Sequence, residues 1–281
     1  MALQTHKNLS PKLQIKLTQI KNYFIDKTVI VAYSGGVDST VLAELGYQFA
    51  RRMIAVTADS ITILPGEVEE ATRIANQRGW EHRIIRIDEL KDRNFVSNPI
   101  NRCYYCKRGL AKELQEVALE IGADVIVEGT NVSEVSGHRP GLKALKETFI
   151  QSPLLINDLT KANIRDLARH FGLPNAEKPS LACLSSRFPY GVIITPEKLR
   201  RVGLAERYVL DTYHINVLRV RDHDGLARIE VAPEEREKLL KPKILDNLQQ
   251  KLREFGFTYV SLDCGGYRTG ALNEAPPVGN K

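Results

Sequence analysis

The residues best placed to do chemistry begin with Tyr33-Ser34-Gly35-Gly36-Val37-Asp38-Ser39-Thr40. This stretch follows the apolar, β-branched run Thr28-Val29-Ile30-Val31-Ala32, which reads as a buried parallel strand, and a helical stretch from Ser39 to Ala50 follows it. A strand that turns sharply into a helix aims backbone N–H groups and the positive end of the helix dipole at one spot, and that spot binds anions. Gly35 and Gly36 permit the backbone angles and the close approach that a phosphate requires, while Ser34 and Ser39 add hydroxyl donors. Asp38 would repel a bare phosphate; it makes sense if it holds a Mg²⁺ that bridges to the phosphates. A ligand-free turn would account for two glycines, but not for serine, aspartate and serine at this spacing beside them. Ala32, Ser34, Gly35, Gly36, Asp38, Ser39 and Thr40 are therefore the expected nucleotide contacts.

Cysteine supplies the second kind of chemistry. The chain has four, Cys103, Cys106, Cys183 and Cys264. Cys103 and Cys106 stand three positions apart at the start of a helix, where two thiols can face one metal and the dipole lowers thiol pKa. A pair of half-buried thiols fits the same spacing, because zinc sites usually need two further ligands. Lys107 and Arg108 next to them are either phosphate contacts or solvated charges. Cys183 lies in Lys178-Pro179-Ser180-Leu181-Ala182-Cys183-Leu184-Ser185-Ser186-Arg187-Phe188-Pro189-Tyr190-Gly191, an aperiodic segment bounded by prolines. A cysteine followed by two serines and an arginine in such a loop reads as a site, since hydroxyls and a cation favour the thiolate.

Further candidates sit where strands end. Ala58, Asp59 and Ser60 close a second strand, and Gly129 and Thr130 close a fourth. In a doubly wound sheet, ligands bind outside the carboxyl ends of strands, so Ala58, Ser60, Gly129 and Thr130 are expected along the nucleotide; a plain polar loop start is the equal alternative for the first pair. Arg139 stands among turn formers in Gly137-His138-Arg139-Pro140-Gly141, a place for a phosphate contact. Near the C-terminus, Arg219 and Arg221 share one face of a strand. They either fork a phosphate or carboxylate, or pair across strands with Arg228 or Glu230.

The elements that must position these residues fall into two patterns. Up to residue 177, strands alternate with helices, which predicts a doubly wound parallel α/β sheet. Residues 178–191 form the cysteine-bearing connection. Residues 192–281 read as a smaller α+β domain: a helix from Thr195-Pro196 to about Asp211, strands at 217–221 and 227–231, one long helix from Pro233 to Glu254, and a strand at 257–263. The net charge of +6 is mild and suits an anionic small molecule or RNA about equally. No run is apolar enough to span a membrane and the first residues lack a signal-peptide core, so a cytoplasmic protein with reactive or metal-binding thiols is expected.

The first motif resembles the pyrophosphatase loop of the N-type (PP-loop) ATP pyrophosphatases. Taken together with Glu128-Gly129-Thr130-Asn131, Arg139-Pro140-Gly141-Leu142, the Cys183–Gly191 block, Leu218-Arg219-Val220-Arg221, Ala227-Arg228-Ile229-Glu230 and Leu262–Arg268, the chain resembles the ATP-dependent sulfur transferases that help make the nickel-pincer nucleotide cofactor, the LarE family. The resemblance implies that ATP adenylates a carboxylate of a pyridinium mononucleotide, pyrophosphate leaves, and sulfur replaces AMP to give a thiocarboxylate. In one version of that chemistry Cys183 gives up its own sulfur. Members carrying Cys103 and Cys106 as well resemble a type in which three cysteines, here Cys103, Cys106 and Cys183, hold a four-iron (4Fe-4S) cluster whose open iron carries the sulfide. The implied roles follow. Asp38 holds Mg²⁺, Lys107 and the loop N–H groups stabilise the leaving pyrophosphate, and Arg139, Arg187, Arg219 and Arg221 hold the nucleotide substrate, with Glu230 orienting arginines. Cys264 has no counterpart. The expected partners are this small-molecule substrate, a cellular sulfide donor and further copies of the chain. A tRNA thiolase, an ammonia-using synthetase and an ATP-binding sensor are the rival readings; nucleic acid is not expected, because no RNA-binding module is recognisable.

Overall fold

The computed structural model describes residues 9–134, 141, 144, 147–268 and 270. In chain order the helices and strands are α1 (Pro11–Phe24), β1 (Thr28–Ala32), α2 (Val37–Phe49), β2 (Arg52–Asp59), α3 (Glu67–Arg78), β3 (Glu81–Arg86), α4 (Arg93–Val96), α5 (Arg102–Ile121), β4 (Val125–Val127), α6 (Pro153–Ile156), α7 (Lys161–His170), α8 (Pro196–Tyr213), β5 (Leu218–His223), β6 (Leu226–Val231), α9 (Pro242–Glu254) and β7 (Tyr259–Leu262). They fall into two compact units, one of Met1–Asp59, Gly66–Ile87 and Cys103–Leu181, the other of Ser60–Pro65, Asp88–Arg102 and Ala182–Lys281.

The first unit is the expected parallel α/β sheet, with strand order β3-β2-β1-β4. β1 pairs in parallel with β2 on one side and with β4 on the other. The chain adds β2 and β3 outward from β1, then returns to β1's far side for β4, so strand order reverses between β1 and β4. Alternate residues of the sheet face two separate cores. Val29, Val31, Met53, Ala55 and Val127 pack with α1, α2, α3 and α7 residues such as Phe24, Leu42, Ile74 and Ile164. Ile30, Ile54, Val56 and Ile126 pack with Ala111, Leu114 and Val117 of α5. A sheet covered on both faces needs apolar side chains on both, hence the unbroken β-branched run of β1. α1 begins at Ser10-Pro11, with the Ser10 side chain accepting from the Leu13 N–H.

The second unit holds a mixed sheet, β5-β6-β7, in which β5 and β6 are antiparallel and β6 and β7 parallel. It also gathers residues 60–65 and 88–102, which the linear reading gave to the first part. Backbone bonds tie them in: Leu184 N–H donates to Thr62 O at 2.8 Å, Gly191 N–H to Asn98 O at 2.9 Å and Ile194 N–H to Val96 O at 3.0 Å.

The single helix expected from Pro233 to Glu254 is corrected. Pro233–Lys238 is a 3₁₀ turn, and α9 starts afresh with Pro242 in its first turn. Proline has no N–H to give and its ring strikes the carbonyl four residues back, so Pro242 can open a helix but not sit inside one.

Candidate functional site

In the first unit the glycine turn sits at the carboxyl end of β1, at the reversal of strand order. Gly35 has φ +71°, and a Cβ there would stand 3.0 Å from Ala71 Cβ, so glycine is required on both counts. Two serines brace the turn: Ser34 N–H donates to Ser39 Oγ at 3.1 Å, and the two hydroxyls lie 3.1 Å apart. Thr40 Oγ1 donates to Gly36 O at 2.8 Å. Asn175, 3% exposed, donates at 2.8 Å both to Gly35 O and to Thr40 Oγ1. Ala32 closes β1 beneath the turn.

The residues after β4 come against this helix start. A Cβ on Gly129 would stand 3.0 Å from Ser39 N and 3.1 Å from Asp38 Cβ. Only a residue without a side chain lets the two chain segments meet so closely. Thr130 Oγ1 is turned away to Glu128 Oε2 at 2.7 Å. Asn131, fully buried, donates from Nδ2 to Asp38 Oδ1 at 3.0 Å. Lys161 Nζ donates to the other oxygen of the same carboxylate. The Asp38 carboxylate thus already neutralises one cation, and it is a residue of the turn that could hold a metal ion.

Tyr33 and His82 meet edge to face, their ring centroids 5.9 Å apart. Thr57 Oγ1 donates to Tyr33 O and lies 2.8 Å from His82 Nε2. Burial pushes the His82 pKa below its usual value.

Cys103 and Cys106 lie in the first turns of α5, the former exposed and the latter half-buried. Lys107 follows on the same helix, its Cγ 3.3 Å from where a Gly141 Cβ would be. Among the described residues no group of three or more His, Cys, Asp or Glu could hold a metal ion. Ala58 is half-buried near the end of β2. Arg139 lies outside the described residues.

In the second unit Cys183 opens a 3₁₀ turn, Leu184–Arg187, and Arg187 organises it. Its guanidinium donates at 2.7 and 2.8 Å to the two oxygens of Glu206 on α8, and from Nη1 to the carbonyls of Ala182 and Cys183 at 3.1 Å and to Ser186 Oγ at 2.7 Å. Burial alone would pull its pKa down; the Glu206 charge outweighs that, and the group stays firmly cationic. The arginine expected on substrate is thereby engaged in holding the backbone on either side of Cys183.

β5 is buried along nearly its whole length on both faces. Arg221 Nε lies 3.1 Å from both oxygens of Glu230, and Nη1 donates to Ser186 O at 2.7 Å. Arg228 donates to Glu230 Oε1 at 2.8 Å. The expected cross-strand pairing is therefore present for Arg221, but buried rather than exposed. Arg219 stands opposite Glu230 in register, yet its guanidinium lies over the Tyr267 ring, 5.0 Å from the centroid. Burial first, then the neighbouring Arg187 charge, lowers its pKa. Ser60 belongs to this unit, 2.9 Å from Thr62 Oγ1 and bonded to Glu89.

Sequence reading missed Asn175, Lys161 and Glu206. The only local signal for Lys161 is its place just after the Thr160 cap. Asn175 and Glu206 carry none, because their partners lie far along the chain.

No family model matches the chain. It is similar to an uncharacterized protein of Synechocystis sp., 42% identical over 264 residues that span 93% of this chain and 98% of that one. It is 34% identical over 250 residues, 88% of this chain and 89% of the other, to pyridinium-3,5-bisthiocarboxylic acid mononucleotide synthase of Lactiplantibacillus plantarum. It is also 25% identical, over 244 residues that span 62% of that protein, to the tRNA-specific 2-thiouridylase MnmA of Anaplasma marginale.

Proposed function

The chain belongs to the family of the pyridinium-3,5-bisthiocarboxylic acid mononucleotide synthase, and from that premise we propose that it adenylates a carboxylate of a pyridinium dicarboxylate mononucleotide and replaces AMP with sulfur. It is an enzyme, an ATP-dependent sulfur transferase. The observation that carries the reading is the glycine turn at the sheet's reversal point, with Gly129 pressed against the N-terminus of α2. A triphosphate suits that place because the turn offers backbone N–H groups and hydroxyls at the start of α2.

In the first step a carboxylate oxygen of the substrate attacks the α-phosphorus, the α–β P–O bond breaks, and pyrophosphate leaves. The N–H groups at the start of α2, the Ser34 and Ser39 hydroxyls and Lys107 meet the charge that grows on the leaving group. Asp38 would hold Mg²⁺, which supplies further neutralisation of that charge when bound. Ala32, Thr40, Ala58, Ser60, Gly129 and Thr130 would border the nucleotide, and Arg139, Arg219 and Arg221 would take the substrate phosphate, with Glu230 orienting Arg221. Arg187 would act on Cys183 by fixing its backbone.

In the second step sulfur attacks the acyl carbon and the bond to AMP breaks. Cys103, Cys106 and Cys183 are our candidate ligands for a four-iron cluster as the sulfur source, supported by the Cys-x-x-Cys spacing. Cys103 and Cys106 would supply two ligands from one helix, and Cys183 the third. The second reading is favoured by the backbone clamp on Cys183. There the Cys183 thiolate displaces AMP as a thioester; loss of its α-proton then breaks the Cβ–S bond, leaving the thiocarboxylate and dehydroalanine.

The test is pyrophosphate release and product mass with MgATP and the dicarboxylated pyridinium mononucleotide. Release that requires the mononucleotide, with one oxygen exchanged for sulfur, supports the reading. Release with tRNA and not with the mononucleotide would replace it with the thiolase reading. Anaerobic purification then separates the sulfur sources. About four irons per chain point to the cluster; a colourless protein whose Cys183 loses sulfur after one turnover points to the sacrificial thiol.

A further inference from the structure

Asn175 is bonded to the glycine turn, and its amide can face the turn in one orientation only. Gly35 O accepts and has no hydrogen to give. Thr40 Oγ1 spends its one hydrogen on Gly36 O at 2.8 Å, so toward Asn175 it too only accepts. Each therefore takes a hydrogen from Nδ2 at 2.8 Å, and both hydrogens of that nitrogen are used. Oδ1 is buried and meets no donor among the described residues, an arrangement that costs stability. The residue is thus placed for what its nitrogen holds. Its backbone is fixed: Leu173 and Ala176 lie in the core, and the Asn175 carbonyl accepts the Lys178 N–H at 3.0 Å. Lys178 Nζ in turn donates to Glu67 and Glu70 at 2.7 and 2.9 Å at the start of α3, the helix whose Ala71 lies against Gly35.

We propose that Asn175 is a positioning residue of the adenylation step: by holding the Gly35 carbonyl inside the protein, it keeps the glycine turn in its anion-binding shape. The inference rests on the ATP-using reading of that turn. A trans peptide is planar, so its C=O and N–H point opposite ways. With Gly35 O drawn to the buried Asn175, the Gly36 N–H is aimed away from it, where the Ser34 hydroxyl lies 3.4 Å off. Gly36 O is held as well, by the Thr40 N–H at 3.0 Å and by the Ser39 and Thr40 hydroxyls. With both carbonyls engaged, neither dipole opposes a phosphate, and the N–H groups are left to meet it. Glycine at φ +71° has no side chain to resist rotation of its peptide, so the restraint comes from outside the turn. Aspartate has the same shape but would set an oxygen against two acceptors.

The test is binding by calorimetry, with no carboxylate substrate present, of AMP and of a non-hydrolysable ATP analogue with Mg²⁺. AMP lacks the β- and γ-phosphates that the turn would hold. Asn175→Asp is expected to weaken the analogue by roughly tenfold or more, the worth of one hydrogen bond, and to leave AMP affinity unchanged. Asn175→Ala removes the donor without adding a repelling oxygen, and is expected to show the same split with a smaller loss. It decides the matter if the aspartate variant does not fold. A merely structural asparagine would lower the melting temperature without parting the two ligands. Equal loss for both, a greater loss for AMP, or no loss for either would overturn the proposal. Failure of the wild-type chain to bind the analogue at all would instead overturn the ATP-using reading on which it rests.

Discussion

The Arg187 guanidinium and the Glu206 carboxylate, each with a side chain 1% exposed, meet in a two-pronged bridge at 2.7 and 2.8 Å. The same carboxylate accepts the Val220 N–H at 2.8 Å, and the same guanidinium holds the carbonyl of Cys183. One buried ion pair therefore joins α8, β5 and the cysteine turn. Removing one partner strands a charge out of water, at a cost of about 3–5 kcal/mol. Arg187→Met is expected to lower unfolding free energy by that amount in urea titration. A loss within experimental error of zero would mean the pair is hydrated in solution.

Gly129→Ala is the sharpest test of the nucleotide site. The added methyl would meet Ser39 N at 3.0 Å and Asp38 backbone C at 3.2 Å, backbone atoms that cannot swing aside. The KM for ATP is expected to rise at least tenfold, with near-native circular dichroism. An unchanged KM would put the phosphates elsewhere.

Arg219→Ala addresses the substrate. The Arg219 guanidinium lies over the Tyr267 ring and donates to Leu218 O at 2.6 Å. The KM for the mononucleotide is expected to rise strongly while that for ATP holds. If the substrate KM does not move, Arg219 is not among its contacts.

The pH dependence of stability follows from two half-buried imidazoles. Burial lowers the pKa of His82, and burial followed by the Arg228 charge lowers that of His223. Both are neutral in the fold, and the unfolded chain takes up protons first as pH drops. Their contribution is therefore complete above about pH 6.5, the ordinary histidine value, and is lost progressively below it. Melting temperature is expected to fall from pH 6.5 downward, less steeply in His82→Gln. Identical slopes for wild type and variant would show that His82 titrates normally.

The parallel sheet, the glycine turn and the cysteine loop were legible in the residue string because each rests on neighbouring residues. A β-branched run, two glycines between serines, or a proline-bounded aperiodic stretch acts within a few bonds. The long helix read across Pro242 failed where a local rule was overlooked, since the proline itself marks a start. Other features had no local trace. Asp38 and Lys161 are 123 residues apart, and Gly35 and Asn175 are 140 apart.

What the string of residues determined by itself was which side chains could bind phosphate, metal or sulfur, and on which kind of element each would sit. The tertiary structure alone decided which of them meet. Strand order brings β4 to the far side of β1, and with it Gly129 and Asn131 to Asp38. Burial turned Arg187 from an expected substrate ligand into the partner of Glu206. A charge enclosed away from water must find its opposite, and where that opposite lies depends on packing that no single stretch of sequence encodes.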